Sequence, residues 1–273
     1  MFYARHKPSP PLSGFVDVLW LYEGYDVPHE KERLLPDGSV ELVINLAEDR
    51  IRVYDPHDPE KFSTIPGCVV SGPRFEFFVI DTAGEACTVG VHFKPGGAFP
   101  FFRVPPAEMV NQSVALECLW GAGAARLRER LLSASTPEAK FHVLELCLME
   151  ELLKPLVRHC AVSFALQRLC GSRHAPPVSR VVDQLGFSQR RFIQLFSDEV
   201  GLTPKLFSRV RRFQKVIQTA HALDEISWTH LALDCGYYDQ AHFIHDFQAF
   251  AGITPSEYLA RKTPHVNHVT MEQ

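Results

Sequence analysis

The C-terminal third of the chain contains one pattern twice, with a constant separation of 51 residues. Six landmarks of the first copy have equivalents in the second: Phe192 and Phe243, Phe196 and Phe247, Gly201 and Gly252, Thr203 and Thr254, Pro204 and Pro255, and Phe207 and Tyr258. A single offset shared by aromatic, glycine and proline positions indicates a duplicated supersecondary unit. This part of the chain must therefore fold as two copies of one motif.

Each copy carries the start and stop signals of a helix. Ser188 and Asp239 have side chains that accept hydrogen bonds from the free N–H groups of a first helical turn. The phenylalanines four residues apart share one helical face. Gly201 and Gly252 end the helices, because glycine adopts a left-handed conformation at little cost. The Thr-Pro pairs that follow are typical of the start of another helix.

A short amphipathic segment and a glycine precede each repeated helix, at residues 178–186 and 227–236. Two short helices joined by a tight glycine turn form a helix-turn-helix, whose second helix enters the DNA major groove. Residues 204–221 predict a connecting helix about 27 Å long at 1.5 Å per residue. Successive major-groove faces lie roughly 34 Å apart, so the spacing suits two grooves.

The ordered set of motifs is specific to one family. It comprises Gly201-Leu-Thr-Pro-Lys205, Arg212-Phe213-Gln214 and Gly236-Tyr-Tyr-Asp-Gln-Ala-His-Phe243. Residues 161–263 resemble the C-terminal DNA-binding domain of AraC/XylS-type transcription regulators, in which a long helix bridges two helix-turn-helix units. The resemblance implies double-stranded promoter or operator DNA as a partner. RNA polymerase would be a further partner if the protein activates transcription.

Candidate base-reading side chains follow from the inward orientation of the phenylalanines. On the first recognition helix, about 188–200, the outward residues are Gln189, Arg190, Ile193 and Gln194. By position they match the base-facing residues of the family. Arginine pairs bidentately with guanine, glutamine pairs with adenine, and isoleucine contacts the thymine methyl group.

The second recognition helix, about 239–251, differs from the first in its charged residues. Its outward residues are Gln240, Ala241, Ile244 and His245. It contains Asp239 and Asp246 but no Lys or Arg, and family members often have arginine at the position of His245. We therefore expect this helix to bind DNA weakly. We also expect its binding to depend on pH, because histidine titrates near neutrality.

The charge distribution favours DNA as a partner although the whole chain has a net charge of −4. Residues 188–215 contain seven Lys and Arg against two Asp and Glu, which places positive charge where phosphates would be met. The cations best suited to phosphate contacts or internal salt bridges are Arg191, Lys205, Arg209 and Arg212.

Residues 1–97 contain short apolar or alternating runs bounded by turn signals, which predict a small β-sandwich or barrel. The runs are 15–22, 40–46, 51–54, 68–80 and 87–93. Through Leu35-Pro-Asp-Gly38, Glu41-Leu-Val-Ile-Asn45 and Gly90-Val-His-Phe-Lys-Pro-Gly-Gly97, this region resembles the cupin-like sensor half of some of the same regulators. The resemblance implies a possible small-molecule effector.

The sequence thus predicts an α+β protein with a cupin-like N-terminal β-sandwich or barrel and an all-α C-terminal domain. The predicted parts are a β-rich sensor at 1–97, a helical extension at 98–160, a double helix-turn-helix domain at 161–263 and a flexible tail at 264–273. The extension either packs on the sensor or forms the contact of a homodimer. Aromatic residues of the sensor are expected in its core: Trp20, Tyr22, Phe75, Phe77 and Phe78.

Other classes of function have less support. His29, His57 and His92 are isolated, so neither a metal nor another cofactor is expected. An enzymatic sensor domain is one alternative, but no catalytic set is visible. A small-molecule-binding domain joined to a helical module that binds protein is another. The chain has no run of eighteen apolar residues and no signal-peptide pattern, so we expect a cytoplasmic protein without membrane association.

Overall fold

A computed structural model describes residues 2–24, 30–58, 60–82, 87–171, 176–223 and 226–271. The strands are β1 (Phe2–His6), β2 (Val16–Glu23), β3 (Lys31–Leu34), β4 (Glu41–Asn45), β5 (Arg50–Tyr54), β6 (Phe62–Pro66), β7 (Cys68–Ser71), β8 (Phe78–Asp81), β9 (Cys87–Phe93), β10 (Ser113–Ala115) and β11 (His268–Thr270). The helices are α1 (Leu116–Trp120), α2 (Ala122–Ser133), α3 (Pro137–Glu150), α4 (Cys160–Gly171), α5 (Val178–Asp183), α6 (Gln189–Val200), α7 (Pro204–His221), α8 (Trp228–Asp234), α9 (Gln240–Ala251) and α10 (Pro255–Arg261). The α+β fold class is confirmed.

The main sheet of the sensor has six antiparallel strands in the order β1-β2-β9-β4-β7-β10. Alternation along β4 separates its two faces, since successive strand residues point to opposite sides. Leu42 and Ile44 join a hydrophobic cluster with the helices, while Glu41 and Val43 face an internal cavity. The sheet therefore has a helix-covered outer face and an inner face toward the smaller sheets.

Helices α1–α3 pack against the outer face of this sheet. Leu127, Phe141 and Leu148 are buried in one cluster with sheet residues such as Leu19 and Val91. Of the two alternatives for residues 98–160, packing within the chain is what the structure shows for this face.

A three-stranded sheet, β11-β3-β8, and a two-stranded sheet, β5-β6, complete the sensor. Residues 68–80 are not one strand: Gly72-Pro73 ends β7, and β8 belongs to a different sheet. The small strands β3 and β6 were not predicted from the sequence. They are short and half exposed, so they carry little periodicity.

The prediction of a flexible tail is wrong for the described part of residues 264–273. Strand β11 pairs antiparallel with β3 of the sensor, and Val269 is buried opposite Arg33. His268 Nδ1 lies 2.6 Å from the carboxylate of Glu32, which has no solvent exposure. The tail is ordered because it satisfies the backbone of an edge strand that would otherwise be open.

The C-terminal domain has the predicted two units, α5–α6 and α8–α9, bridged by α7. Ser188, Asp239 and Thr203 each accept a backbone N–H three residues later, as expected of N-caps. Gly201 and Gly252 follow α6 and α9 with φ of 94° and 64°, values that only glycine adopts easily. The inward phenylalanines of both helices are fully buried.

Candidate nucleic-acid interface

The predicted base-reading residues of α6 lie on one open face. Gln189, Arg190 and Gln194 are exposed and Ile193 is half-buried. Gln194 donates to Asp198 Oδ1 at 2.7 Å, one helical turn away. The face is held in place by the burial of Phe192 and Phe196 and by the Ser188 cap, so that its side chains project from a fixed helix.

The corresponding face of α9 has the same exposure. Gln240, Ala241 and His245 are exposed, and Ile244 is half-buried. Gln240 accepts a hydrogen bond from the hydroxyl of Thr229 in α8, at 3.0 Å. The pairing fixes the amide of Gln240 at the first turn of the helix.

The two carboxylates counted against this helix, Asp239 and Asp246, have different environments. Asp239 caps the helix by accepting from His242 N at 2.7 Å. Asp246 is 1% exposed and forms an ion pair with Arg209 of α7, with Arg209 Nη2 2.6 Å from Asp246 Oδ1. Burial and pairing therefore withdraw Asp246 from the exposed face, whereas Asp239 remains exposed at the start of the helix.

A cleft of about 710 Å³ separates the two recognition helices and contains three of the predicted cations. Lys205, Arg209 and Arg212 line it together with Gln189, Ile193 and His242. Lys205 is exposed, and the guanidinium of Arg212 lies over the ring of Tyr237 at 5.0 Å. Arg191, the fourth predicted cation, is exposed on α6 outside the cleft lining.

Arg209 has a different environment from the other cations. Besides the ion pair, its guanidinium lies 5.2 Å from the centre of the Phe250 ring. About two thirds of its side chain is covered. It therefore joins α7 to α9 within the protein, while Lys205 remains available to solvent.

A second cavity, of about 530 Å³, lies inside the sensor and reaches α7. Its walls include Trp20, Tyr22, Val43 and Phe78 on the sensor, Gln214 and Gln218 on α7, and His268 on the tail. Trp20, Tyr22 and Phe78 were expected to fill the core, but they face this space. Phe77 instead belongs to the hydrophobic cluster at the junction with the C-terminal domain, and Phe75 packs against the same cluster.

One end of this cavity carries a half-buried cluster of charged side chains. His92 Nε2 lies 3.2 Å from Asp37 Oδ2, and its Nδ1 lies 3.7 Å from Glu41 Oε1. Trp20 Nε1 donates to the same Glu41 oxygen at 2.8 Å. Burial opposes protonation of His92, but the two carboxylates outweigh it and raise the pKa of His92 to about 9. His92 is an imidazolium at neutral pH.

Among the described residues, no group of three or more His, Cys, Asp or Glu side chains is arranged to hold a metal ion. His242 and His245 both approach Asp246, at 3.8 and 4.0 Å, and that carboxylate is already taken by Arg209. His29 lies outside the described residues. In the part of the chain that the structure covers, no helix combines the length and apolar character needed to span a bilayer.

Two protein-family models match separate parts of the chain. A family model described as "Helix-turn-helix domain" matches residues 181–261, and one described as "Domain of unknown function (DUF6597)" matches residues 4–115. Curated protein sequences gave no match.

Several solved structures of ToxT from Vibrio cholerae are similar over most of the chain. A ligand-free variant has 12% identity and a TM-score of 0.47, covering 89% of this chain and 96% of its own. A second crystal form has 8% identity and a TM-score of 0.47, with coverages of 95% and 98%. A structure of the wild type with an unsaturated fatty acid has 10% identity and a TM-score of 0.46, with both coverages at 94%. Because the identities and TM-scores are this low, neither a ligand nor a mechanism of ToxT is assigned to this chain.

The matched model spans both units of the repeat, from α5 to the end of α10. Two capped recognition helices, related by 51 residues and bridged by α7, form the arrangement that the sequence motifs predicted. The C-terminal domain of this chain therefore contains two helix-turn-helix units bridged by α7, and residues 181–261 match a helix-turn-helix family model.

Proposed function

We propose that the protein is a sequence-specific transcription regulator that places α6 and α9 in successive major grooves. The observation that carries the proposal is the pair of equivalent exposed faces. Each follows an N-cap, each is backed by buried phenylalanines, and each belongs to one copy of the helix-turn-helix repeat. Such a pair reads two groove segments on one side of a duplex.

Base reading is assigned to the exposed faces, and phosphate contacts to the cations beside them. The proposed base contacts are Gln189, Arg190, Ile193 and Gln194 on α6, and Gln240, Ala241, Ile244 and His245 on α9. Arg191, Lys205 and Arg212 are assigned to phosphates, because cations at groove edges position a protein without reading sequence. Arg209 is assigned to the internal ion pair.

The cavity in the sensor is the proposed site of an effector. Its volume of about 530 Å³ lies within the range of small-molecule pockets, roughly 300–1,000 Å³. Its walls come from the sensor, from the bridging helix α7 and from the tail. A bound molecule would therefore touch the element that connects the two DNA-reading units.

We propose that the protein acts as a homodimer through the outer side of α2 and α3. Leu132, Leu146 and Met149 are 40–52% exposed on these helices, and a contiguous exposed apolar patch is typical of a protein interface. Met149→Lys should shift a dimer to monomer in sedimentation analysis.

RNA polymerase is the proposed further partner if binding activates transcription.

The test is DNA binding by the full chain over a salt series. A duplex recovered by selection from a random pool is compared with a scrambled duplex of equal length by fluorescence anisotropy. We expect preference for the selected duplex, protected segments about one helical turn apart, and affinity that falls steeply with salt. Equal affinity for both duplexes at every salt concentration contradicts the proposal.

A further inference from the structure

One loop of the sensor contacts the equivalent ends of both recognition helices. Residues 72–77 connect β7 to β8. Pro73 lies against Gly201, which ends α6, and Phe77 lies against Gly252, which ends α9. Gly201 and Gly252 are the same position of the 51-residue repeat, so a single sensor segment bridges two symmetry-related caps.

At the first cap the contact is steric. A Cβ atom at Gly201 would overlap the ring of Pro73 and would lie 3.1 Å from Pro106 Cβ. Val200, the last residue of α6, is 2% exposed. The sensor surface therefore fits closely around the end of α6, with the glycine providing the space.

At the second cap the sensor also supplies hydrogen-bond donors. Phe77 N–H donates to the Phe250 carbonyl at 3.0 Å, and Arg33 Nη1 donates to the Ala251 carbonyl at 2.8 Å. Carbonyls in the last turn of a helix have no partner within the helix, and a cation there complements the helix dipole. The Arg33 guanidinium also lies over the Phe77 ring at 4.1 Å, which joins the two contacts.

The loop is itself fixed to the body of the sensor. Arg74 is 8% exposed and donates to Ser71 Oγ at 3.1 Å, to the Asn111 carbonyl at 3.1 Å and to Ser113 Oγ at 2.8 Å. The backbone N–H of Phe75 donates to Asn111 Oδ1 at 3.0 Å. A loop held by four hydrogen bonds at its centre keeps its two ends at a set separation.

The same anchors form part of the cavity wall. Ser71 and Ser113, which hold Arg74, line the cavity, as does Phe78 at the start of β8. A molecule that moved Ser71 or Ser113 would therefore also move Arg74, which belongs to the loop. The loop in turn contacts the ends of both recognition helices. Within the C-terminal domain α7 packs against both α6 and α9, and the loop is a further link between them from outside that domain.

We propose that the 72–77 loop is a positioning element that fixes the spacing between the two recognition helices on DNA. This inference rests on the proposed function, because spacing has meaning only if both helices enter grooves. The loop acts through its contacts at the two caps, Gly201 and Gly252. Releasing one cap would let α9 adjust to a displaced second half-site.

The experiment measures tolerance to a changed half-site spacing. The duplex selected by the wild-type full chain is compared with a version carrying one extra base pair between the protected segments. The insertion moves the second segment by about 3.4 Å and rotates it by roughly 35°. We expect the insertion to weaken wild-type binding about tenfold or more, as losing correct base contacts does.

The test variants are Phe77→Ala and Arg33→Gln, and the matched control is Phe62→Ala, an exposed sensor aromatic away from the caps. We expect the insertion penalty to fall below about threefold in both test variants and to stay at the wild-type value in the control. Arg33→Gln keeps the test valid if Phe77→Ala does not fold, because it removes a half-buried contact without emptying the core.

The outcomes separate the two proposals. If the wild type shows no preference for any duplex, the proposed function fails and the positioning role fails with it. If the wild type binds specifically and Arg33→Gln keeps the full insertion penalty, the positioning role alone is overturned. A general loss of stability would weaken binding to both duplexes equally and leave their ratio at the wild-type value, which also counts against the proposal.

Discussion

The ion pair between Arg209 and Asp246 should respond asymmetrically to the loss of either partner. Asp246 is 1% exposed, whereas the Arg209 side chain is 33% exposed. Arg209→Ala leaves a carboxylate enclosed in the protein without its counter-ion. Removing one partner of a buried pair costs about 3–5 kcal/mol, and we expect a value near the lower end, since His242 and His245 lie within 4.0 Å of the carboxylate.

Asp246→Ala has a milder consequence. The remaining guanidinium can turn toward the cleft and regain water, so the loss is about that of hydrogen bonds to a charged group, roughly 1.5–3 kcal/mol. In the double variant no buried charge is left unpaired. We therefore expect its free energy of unfolding to resemble that of Asp246→Ala and to exceed that of Arg209→Ala.

The assay is urea denaturation of the full-length protein and the three variants, followed by far-UV circular dichroism. Lys205→Ala, which removes an exposed cation from the same helix, is the control and should change the free energy of unfolding by less than about 0.5 kcal/mol. Equal destabilisation by Arg209→Ala and Asp246→Ala would refute the reasoning, because it would mean that Asp246 is not desolvated in the folded protein.

Three further predictions concern DNA, pH and the tail. Arg190→Ala should cost about 1–3 kcal/mol on the selected duplex and relax preference at one base pair, whereas Lys205→Ala should weaken all duplexes alike and reduce the salt slope by about 1, both read by anisotropy. Because the pKa of His92 is raised to about 9, its contribution to stability is complete below its unfolded value of about 6.5 and is lost as pH rises through 9. Denaturation midpoints should fall over that interval in the wild type and not in His92→Gln. Val269→Asp places a charge in a buried site of β11 and should make the tail sensitive to limited proteolysis, with Thr270→Asp as the partly exposed control.

Local signals in the sequence were sufficient to predict the C-terminal architecture. Helix caps, glycine stops and the four-residue spacing of aromatics are local signals, and the 51-residue repeat doubled each of them. Ser188 and Asp239 cap the helices as predicted, and the phenylalanines are buried as predicted. Local chemistry was enough because a helix is stabilised largely by residues within one or two turns of each other. The assignment of particular side chains to bases stays a prediction.

Contacts between distant residues were decided only by the tertiary structure. Arg209 and Asp246 are 37 positions apart on different helices, and nothing in either segment shows that one charge neutralises the other. The sequence therefore left Arg209 as either a phosphate contact or an internal salt bridge, and it counted Asp246 against the second recognition helix. The structure shows the salt bridge, because a desolvated carboxylate requires a partner inside the protein.

Contacts between distant residues are even more important in the sensor, where they could not be predicted from the sequence. Strands β3 and β11 have four and three residues, which is too few for a hydrophobic period. They are stabilised by pairing with each other across more than 230 residues of sequence. Three features arise where the domains meet: the cavity, the ordered tail and the contacts of the 72–77 loop with two helix ends. Sequence patterns report which face of an element is apolar; which other element covers that face is settled only when the whole chain packs.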